Sequence, residues 1–306
     1  MAQAALPVIA ITLGEPAGIG PEVVAAALRS PRLRSVLKGF RYEVLGSTQG
    51  VTPGKPTARS AALALKALED AAAGWKSGRY AAIVTGPVQK ETLIKAGKGF
   101  PYPGQTEFFA ARCGVPDDEV VMAMASPKLT VALLSTHLSL RAALRKITAR
   151  KLLRVVGETA LFLRATGKAR PRIAVAGVNP HAGEGGLFGD EEGRLLVPAI
   201  AKARAAHPGI DLSGPHVPDA IFRRAWQGEF DAVVCAYHDQ GLIPFKLLAF
   251  HDGVNVSLGL PLIRTSPDHG TALDLAGTGK ADPRSMISAI RLAAQLVKAR
   301  QREKVR

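Results

Sequence analysis

Arg172-Ile173-Ala174-Val175-Ala176-Gly177-Val178-Asn179-Pro180-His181-Ala182-Gly183-Glu184 is the stretch on which the fold reading turns. Residues 172–178 form a short apolar run that stops at an Asn-Pro pair. The run is short for a helix and has no alternating polar face, so it predicts a strand buried on both sides. The polar, Gly-bearing segment after it reads as a loop at the strand's carboxyl end. Outward from here the signature recurs: 131–134 precedes Ser135-Thr136-His137, and 232–236 precedes Tyr237-His238-Asp239-Gln240. Further strands are predicted at 8–13, 42–45, 81–85 and 254–258, and helices at 21–28, 60–73, 148–165, 196–206 and 283–302. This alternation predicts an α/β fold with mostly parallel sheets flanked by helices. The last helix has the clearest start, with Asp282 as cap and Pro283 in the first turn. Met286, Ile287, Ile290, Ala293, Ala294 and Val297 then make an apolar stripe at helical spacing.

The 306 residues, 47% hydrophobic, suffice for one large core or two lobes. Aromatics are only 5%, so Ala, Leu and Val must fill the interior. No apolar run approaches the ~20 residues of a membrane span, and no basic region precedes the first apolar stretch, as it would in a signal peptide. Two distant cysteines, Cys113 and Cys235, argue against a disulfide framework, so a reducing cytoplasm is expected. The net charge of +15 raises nucleic-acid binding, but the basic residues are spread along the chain and no zinc-finger or RNA-binding signature accompanies them. Solvated lysines and arginines explain the charge, and a small anionic substrate would use part of the field.

Three strand-end segments each carry one histidine: His137, His181 and His238. One such residue alone reads as a hydrogen-bonded structural histidine. Three at equivalent places point to a catalytic divalent-metal site with an open position. His207, His216 and His251 read as surface or supporting residues. Asp239 follows His238 directly, and on extended backbone its side chain points away from its neighbour; it could orient a ligand or act as a base. Asp219 is a second base candidate, or simply the cap of a helix starting at Ala220. Arg264 ends an apolar stretch, where it could grip a phosphate or carboxylate or form a surface ion pair. Lys246 and Asn255 could join it, though Lys246 alone reads as exposed. Gly14-Glu15-Pro16-Ala17-Gly18-Ile19-Gly20-Pro21-Glu22 follows a strand and opens a helix. It matches neither the dinucleotide fingerprint nor a Walker loop, and a tight turn accounts for its glycines. Thr85-Gly86-Pro87-Val88-Gln89-Lys90 likewise fits a plain turn.

Together, 14–22, 85–90, 104–109, 136–138, 179–186, 237–242 and 253–277 resemble the 4-hydroxythreonine-4-phosphate dehydrogenase (PdxA) family nearly end to end. Asn179-Pro180-His181-Ala182-Gly183-Glu184 and Tyr237-His238-Asp239-Gln240 carry most of the resemblance, with Asp268-His269-Gly270-Thr271-Ala272-Leu273. The resemblance implies a two-lobed fold like that of isocitrate and isopropylmalate dehydrogenases. Residues 1–128 with 270–306 would form the lobe holding both termini, and 129–269 the lobe with metal ligands and dimer contacts. It implies NAD or NADP as cofactor, its adenosine end held by His269, Gly270, Thr271 and Ala272 with Asp274 close by. One divalent metal (Zn, Mg, Co or Mn) would sit on His137 and His181 of one subunit and His238 of the other, in a homodimer with shared active sites. Substrate contacts carry over to Thr106, Lys246, Asn255 and Arg264. The family usually has His-Thr where this chain has Gln105-Thr106, and Gln cannot take up a proton near pH ~6–7 as imidazole does. The implied reaction oxidises C3 of 4-phosphohydroxy-L-threonine and decarboxylates the product, with Asp239 or Asp219 as base, on the route to pyridoxal 5'-phosphate (vitamin B6). The alternatives are a paralogue acting on D-erythronate or D-threonate 4-phosphate, a metallohydrolase on the same histidines, and a nucleic-acid-binding module resting on charge alone.

Overall fold

The computed structural model describes residues 5–95 and 100–305. In chain order the elements begin with β1 (Val8–Thr12), α1 (Gly20–Arg29), α2 (Pro31–Leu37), β2 (Arg41–Leu45), α3 (Ala58–Lys76), β3 (Ala82–Thr85), α4 (Lys90–Lys95) and α5 (Gln105–Cys113). Next come β4 (Val121–Ala125), β5 (Thr130–Leu133), α6 (Leu140–Leu144), α7 (Ala149–Ala165), β6 (Arg172–Ala176), α8 (Val197–Ala206), β7 (Asp211–His216), α9 (Pro218–Trp226), β8 (Ala232–Cys235) and α10 (His238–Ala249). The chain closes with β9 (Val254–Leu258), β10 (Arg264–Pro267) and α11 (Arg284–Val305).

These elements form two compact units: Met1–Asp117 with His251–Arg306, and Asp118–Phe250. Asn255, Arg264 and His269, expected in the second lobe, therefore share a unit with Thr106.

In the first unit the strand order is β2-β1-β3-β10-β9. Its pairings are parallel except that of β10 with β9. Ile9, Ile11, Ile83 and Val84 are fully buried, as expected where helices cover both sheet faces. The α11 stripe is buried from Met286 to Val297, and Asp282 Oδ1 accepts from the Arg284 N–H at 3.0 Å. The second unit runs β4-β5-β8-β6-β7, parallel except for β4 against β5. Its core joins Met124, Val131, Leu133 and Val233 to Ile221, Leu242 and Phe245.

The predicted α/β rhythm holds: each of the seven strands and five helices expected is present within a few residues at each end. Two local expectations are corrected. His238 and Asp239 lie in the first turn of α10, not on extended backbone, and their side chains bond to each other. Asp219 does not cap α9: the helix starts at Pro218, and no side-chain cap bond is made. As an acid in the first turn it suits the helix dipole instead.

Candidate active site

The first unit builds a cradle around a buried cation. Arg264 begins β10, paired to β3 on one side and β9 on the other, and is 3% exposed. Its Nε and Nη2 donate to Thr85 Oγ1 at 3.2 and 2.7 Å. Nη1 donates to Ser257 Oγ at 3.3 Å and Thr106 Oγ1 at 3.5 Å, and Nη2 to Gln105 Oε1 at 3.1 Å. These partners are all neutral. Burial lowers its pKa to about 10, with nearby Glu107 offsetting part of that. A buried guanidinium bonded to hydroxyls and an amide is only partly compensated by the nearby Glu107 carboxylate, and an arriving anion would add a directly bonded charge. Gln105 and Thr106 form the first turn of α5, whose Gly104 cap makes no side-chain bond, and such a turn also favours an anion. Gln105 Nε2 donates to the Gly86 carbonyl at 3.0 Å, so the residue spans the end of β3 and the guanidinium. Asn255, one strand away on β9, keeps its Oδ1 buried without a hydrogen-bond partner.

The loop after β10 bears the residues expected to hold the nucleotide. His269 Nε2 is buried with no partner, while Nδ1 meets the Gly270 carbonyl at 3.1 Å. Ala272 is held at φ 39°, a left-handed conformation costly for a residue with a Cβ. An unpaired ring nitrogen beside strained backbone suits a loop shaped for a ligand, so these residues fit a nucleotide. Asp274 is exposed. The first glycine segment, which reads as a plain turn, holds this loop. Ile19 N donates to the Thr271 carbonyl at 2.9 Å, and a Cβ on Gly18 would lie 2.7 Å from that same oxygen. The Glu22 carboxylate accepts from the Gly277 and Gly279 N–H groups.

The second unit holds the histidines. His137 follows β5 and His238 opens α10; their ring centroids are 5.6 Å apart within one chain, although the resemblance assigns them to different subunits. His238 Nδ1 bonds Asp239 Oδ1 at 2.7 Å. Donation to a carboxylate puts the proton on Nδ1 and leaves Nε2 as the ligating nitrogen, an arrangement typical of metal-bound histidine. That donor chemistry fits a divalent cation. His181 stands in the loop after β6, its ring 5.9 Å from that of Phe188. Among the described residues no group of three or more His, Cys, Asp and Glu side chains is assembled that could hold a metal. Lys246 is half-buried on α10, and Asp219 is exposed on α9.

The chain is a mixed α/β protein with histidines at the strand ends of one unit and a buried arginine among neutral hydrogen-bond partners in the other. Comparison makes the class specific: the chain belongs to the PdxA family, whose model, described as pyridoxal phosphate biosynthetic protein PdxA, matches residues 22–293. It is 42% identical to a 4-hydroxythreonine-4-phosphate dehydrogenase of Geobacter metallireducens, covering 96% of each chain. It is also 42% identical to a D-threonate 4-phosphate dehydrogenase of Salmonella typhimurium, covering 94% of this chain and 98% of that one. Among solved structures, a 4-hydroxythreonine-4-phosphate dehydrogenase from Klebsiella pneumoniae superposes with a TM-score of 0.78 at 40% identity, over 95% of this chain and 99% of that one.

Proposed function

We propose that the protein is a 4-hydroxythreonine-4-phosphate dehydrogenase, oxidising C3 of 4-phosphohydroxy-L-threonine with NAD or NADP, followed by decarboxylation to 3-amino-2-oxopropyl phosphate. The observation that carries this reading is Arg264, a buried cation with neutral partners, in a chain of this family. Arg264, Thr106, Asn255 and Lys246 grip the phosphate, and Gln105 holds the guanidinium in place. Binding energy from this remote group positions the reacting carbon. His269, Gly270, Thr271, Ala272 and Asp274 hold the dinucleotide, which supplies the hydride acceptor. His137, His181 and His238 hold one divalent metal (Zn, Mg, Co or Mn), which would supply Lewis acidity at the substrate hydroxyl and ketone. Asp239, one hydrogen bond from His238, accepts the hydroxyl proton; Asp219 is the other candidate.

The active unit is a homodimer with shared sites. The outer face of α10 supports this: Ile243 is 67% exposed, Leu247 82% and Phe250 65%, and apolar side chains so grouped mark a contact surface. The thiols of Cys113 and Cys235 are unpaired, which suits the cytoplasm; among the described residues no helix is long and apolar enough to cross a membrane.

A relative of equal identity supports a second reading, oxidation of D-threonate 4-phosphate, with D-erythronate 4-phosphate as the other paralogue substrate. The test is nicotinamide reduction by purified protein with each phosphorylated acid, with and without a chelator. Turnover of 4-phosphohydroxy-L-threonine that is lost on chelation and in His181→Ala supports the first reading. Turnover of a sugar-acid phosphate alone selects the second. Full activity of folded His181→Ala removes the metal assignment.

A further inference from the structure

We propose that Glu192 is a positioning residue for His181, its buried carboxylate clamping a left-handed turn that presents the imidazole. The inference rests on the metal reading above and names the device behind one ligand.

Six successive residues, His181 to Gly186, have positive φ, and three of them carry a Cβ: His181 at 52°, Ala182 at 54° and Glu184 at 42°. Left-handed backbone is unfavourable for each of these three, and a run of it persists only where the surroundings over-determine it. The turn's own bonds are few: Ala182 N to the Asn179 carbonyl at 3.1 Å, and Phe188 N to the Gly183 carbonyl at 3.2 Å, are two of them.

Glu192 supplies what the turn lacks. It is 5% exposed and opens a single π-helical turn, Glu192–Leu196, a form frequent at functional sites. Oε1 accepts the Val178 and Asn179 N–H groups at 2.6 and 2.7 Å, and Oε2 accepts Asn179 Nδ2 at 2.9 Å. Glu191 Oε2 takes the same amide at 2.6 Å. The turn also packs on the carboxylate, since a Cβ on Gly183 would come within 2.8 Å of Glu192 Oε2. Burial alone would raise this carboxyl's pKa, but hydrogen bonds led by those from Asn179 outweigh it and hold the group below the usual range. Glu192 touches no reacting atom in this scheme. It fixes both ends of the residue pair, Val178-Asn179, from which the turn departs.

The test compares metal-free wild type with Glu192→Gln, which keeps the shape but turns an N–H2 toward N–H donors. Cobalt(II) or zinc is titrated directly, hydrogen exchange is followed across 177–188, and binding of NADH and NADPH serves as control. The expected result is a metal Kd about tenfold to hundredfold weaker, the range for residues that orient metal ligands. Exchange should quicken in 177–188, stay unchanged in α7, and binding of whichever of NADH and NADPH the wild type takes up should be retained. Metal affinity within twofold of wild type overturns the proposal even if exchange changes, because the role is then purely structural. Absence of metal binding by the wild type itself removes the metal reading, and this inference with it. Should Glu192→Gln not fold, Asn179→Ala, which removes only the side-chain arm, is expected to weaken metal binding in the same direction; an unchanged Kd there also overturns the proposal.

Discussion

Replacing Arg264 with methionine separates the two consequences of burying a cation. Burial lowers the guanidinium's pKa from its ordinary value to about 10. At about 1.4 kcal/mol per tenfold change in proton affinity, the charged form carries a penalty of about 3 kcal/mol. Methionine removes that penalty and keeps an apolar stem, but Thr85, Thr106, Ser257 and Gln105 each lose a donor, at about 1 kcal/mol apiece. The two effects nearly cancel, so stability without ligand should change by no more than about 1–2 kcal/mol. Phosphate binding should not survive so well. Loss of two charge-assisted bonds, at about 1.5–3 kcal/mol each, predicts kcat/KM for the phosphorylated substrate at least about a hundredfold lower. Thermal melts in phosphate and in chloride at matched ionic strength read both effects. The wild type should be stabilised by phosphate and Arg264→Met should not, with similar melting points in chloride. A variant that melts far lower in chloride yet keeps its response to phosphate would refute the argument, because Arg264 would then be a structural residue.

Other expectations follow from single contacts. Glu22→Ala removes two hydrogen bonds to the loop, at about 0.5–1.5 kcal/mol each, and should raise the KM for the nicotinamide cofactor roughly tenfold, while kcat stays near wild type; an unchanged cofactor KM would mean that the 271–279 loop needs no anchor. Asp231, its side chain 4% exposed, is held by Arg172 and Lys168 at 3.0 and 3.1 Å. Burial would raise its pKa, but the bonds from Arg172 and Lys168 hold it low, so its stabilising contribution is full above the unfolded value of about 3.9 and is lost as acid passes the lower folded value. Asp231→Asn should therefore destabilise at neutral pH by about 1–2 kcal/mol, because the cations left behind are half exposed, and flatten the acid limb of the urea-unfolding profile; a parallel acid limb would exclude this pair. Leu247→Glu, on the exposed face of α10, should shift the sedimentation coefficient from dimer to monomer, and an unchanged coefficient would move the interface elsewhere.

How much of this is readable from sequence depends on whether local pattern or tertiary context decides. Strands such as 172–176 announce themselves because both faces are buried and the run is apolar throughout. β10 does not: Arg264-Thr265-Ser266-Pro267 reads as polar loop, yet all four are buried because the strand is paired on both sides, with β3 and β9. β7 hides behind Gly214-Pro215, which signal a turn. α10 contains Gly241 and Pro244, both poor helix formers, and forms because Leu242, Phe245 and Ala249 pack into the core. The site shows the same division. Residue types at strand ends give the histidines and Arg264, but the bond between His238 and Asp239 requires a helical turn that propensity argues against. The left-handed run at His181 is invisible to composition, since Asn-Pro-His-Ala-Gly-Glu reads as any turn. The loop lock at Glu22 joins segments more than 250 positions apart.

The place of β10 has a consequence for biosynthesis. It lies between β3 and β9, inside its unit's strand order, yet it is the last strand in the chain. During translation the contiguous unit Asp118–Phe250 leaves the ribosome whole, while β3 must wait with one row of backbone groups unsatisfied. Arg264 travels on the strand that fills that gap, so a nascent chain buries this guanidinium, the group proposed to hold phosphate, only at the step that seals the sheet. A chain stalled or cleaved before residue 264 would present an open strand edge to chaperones and to other chains.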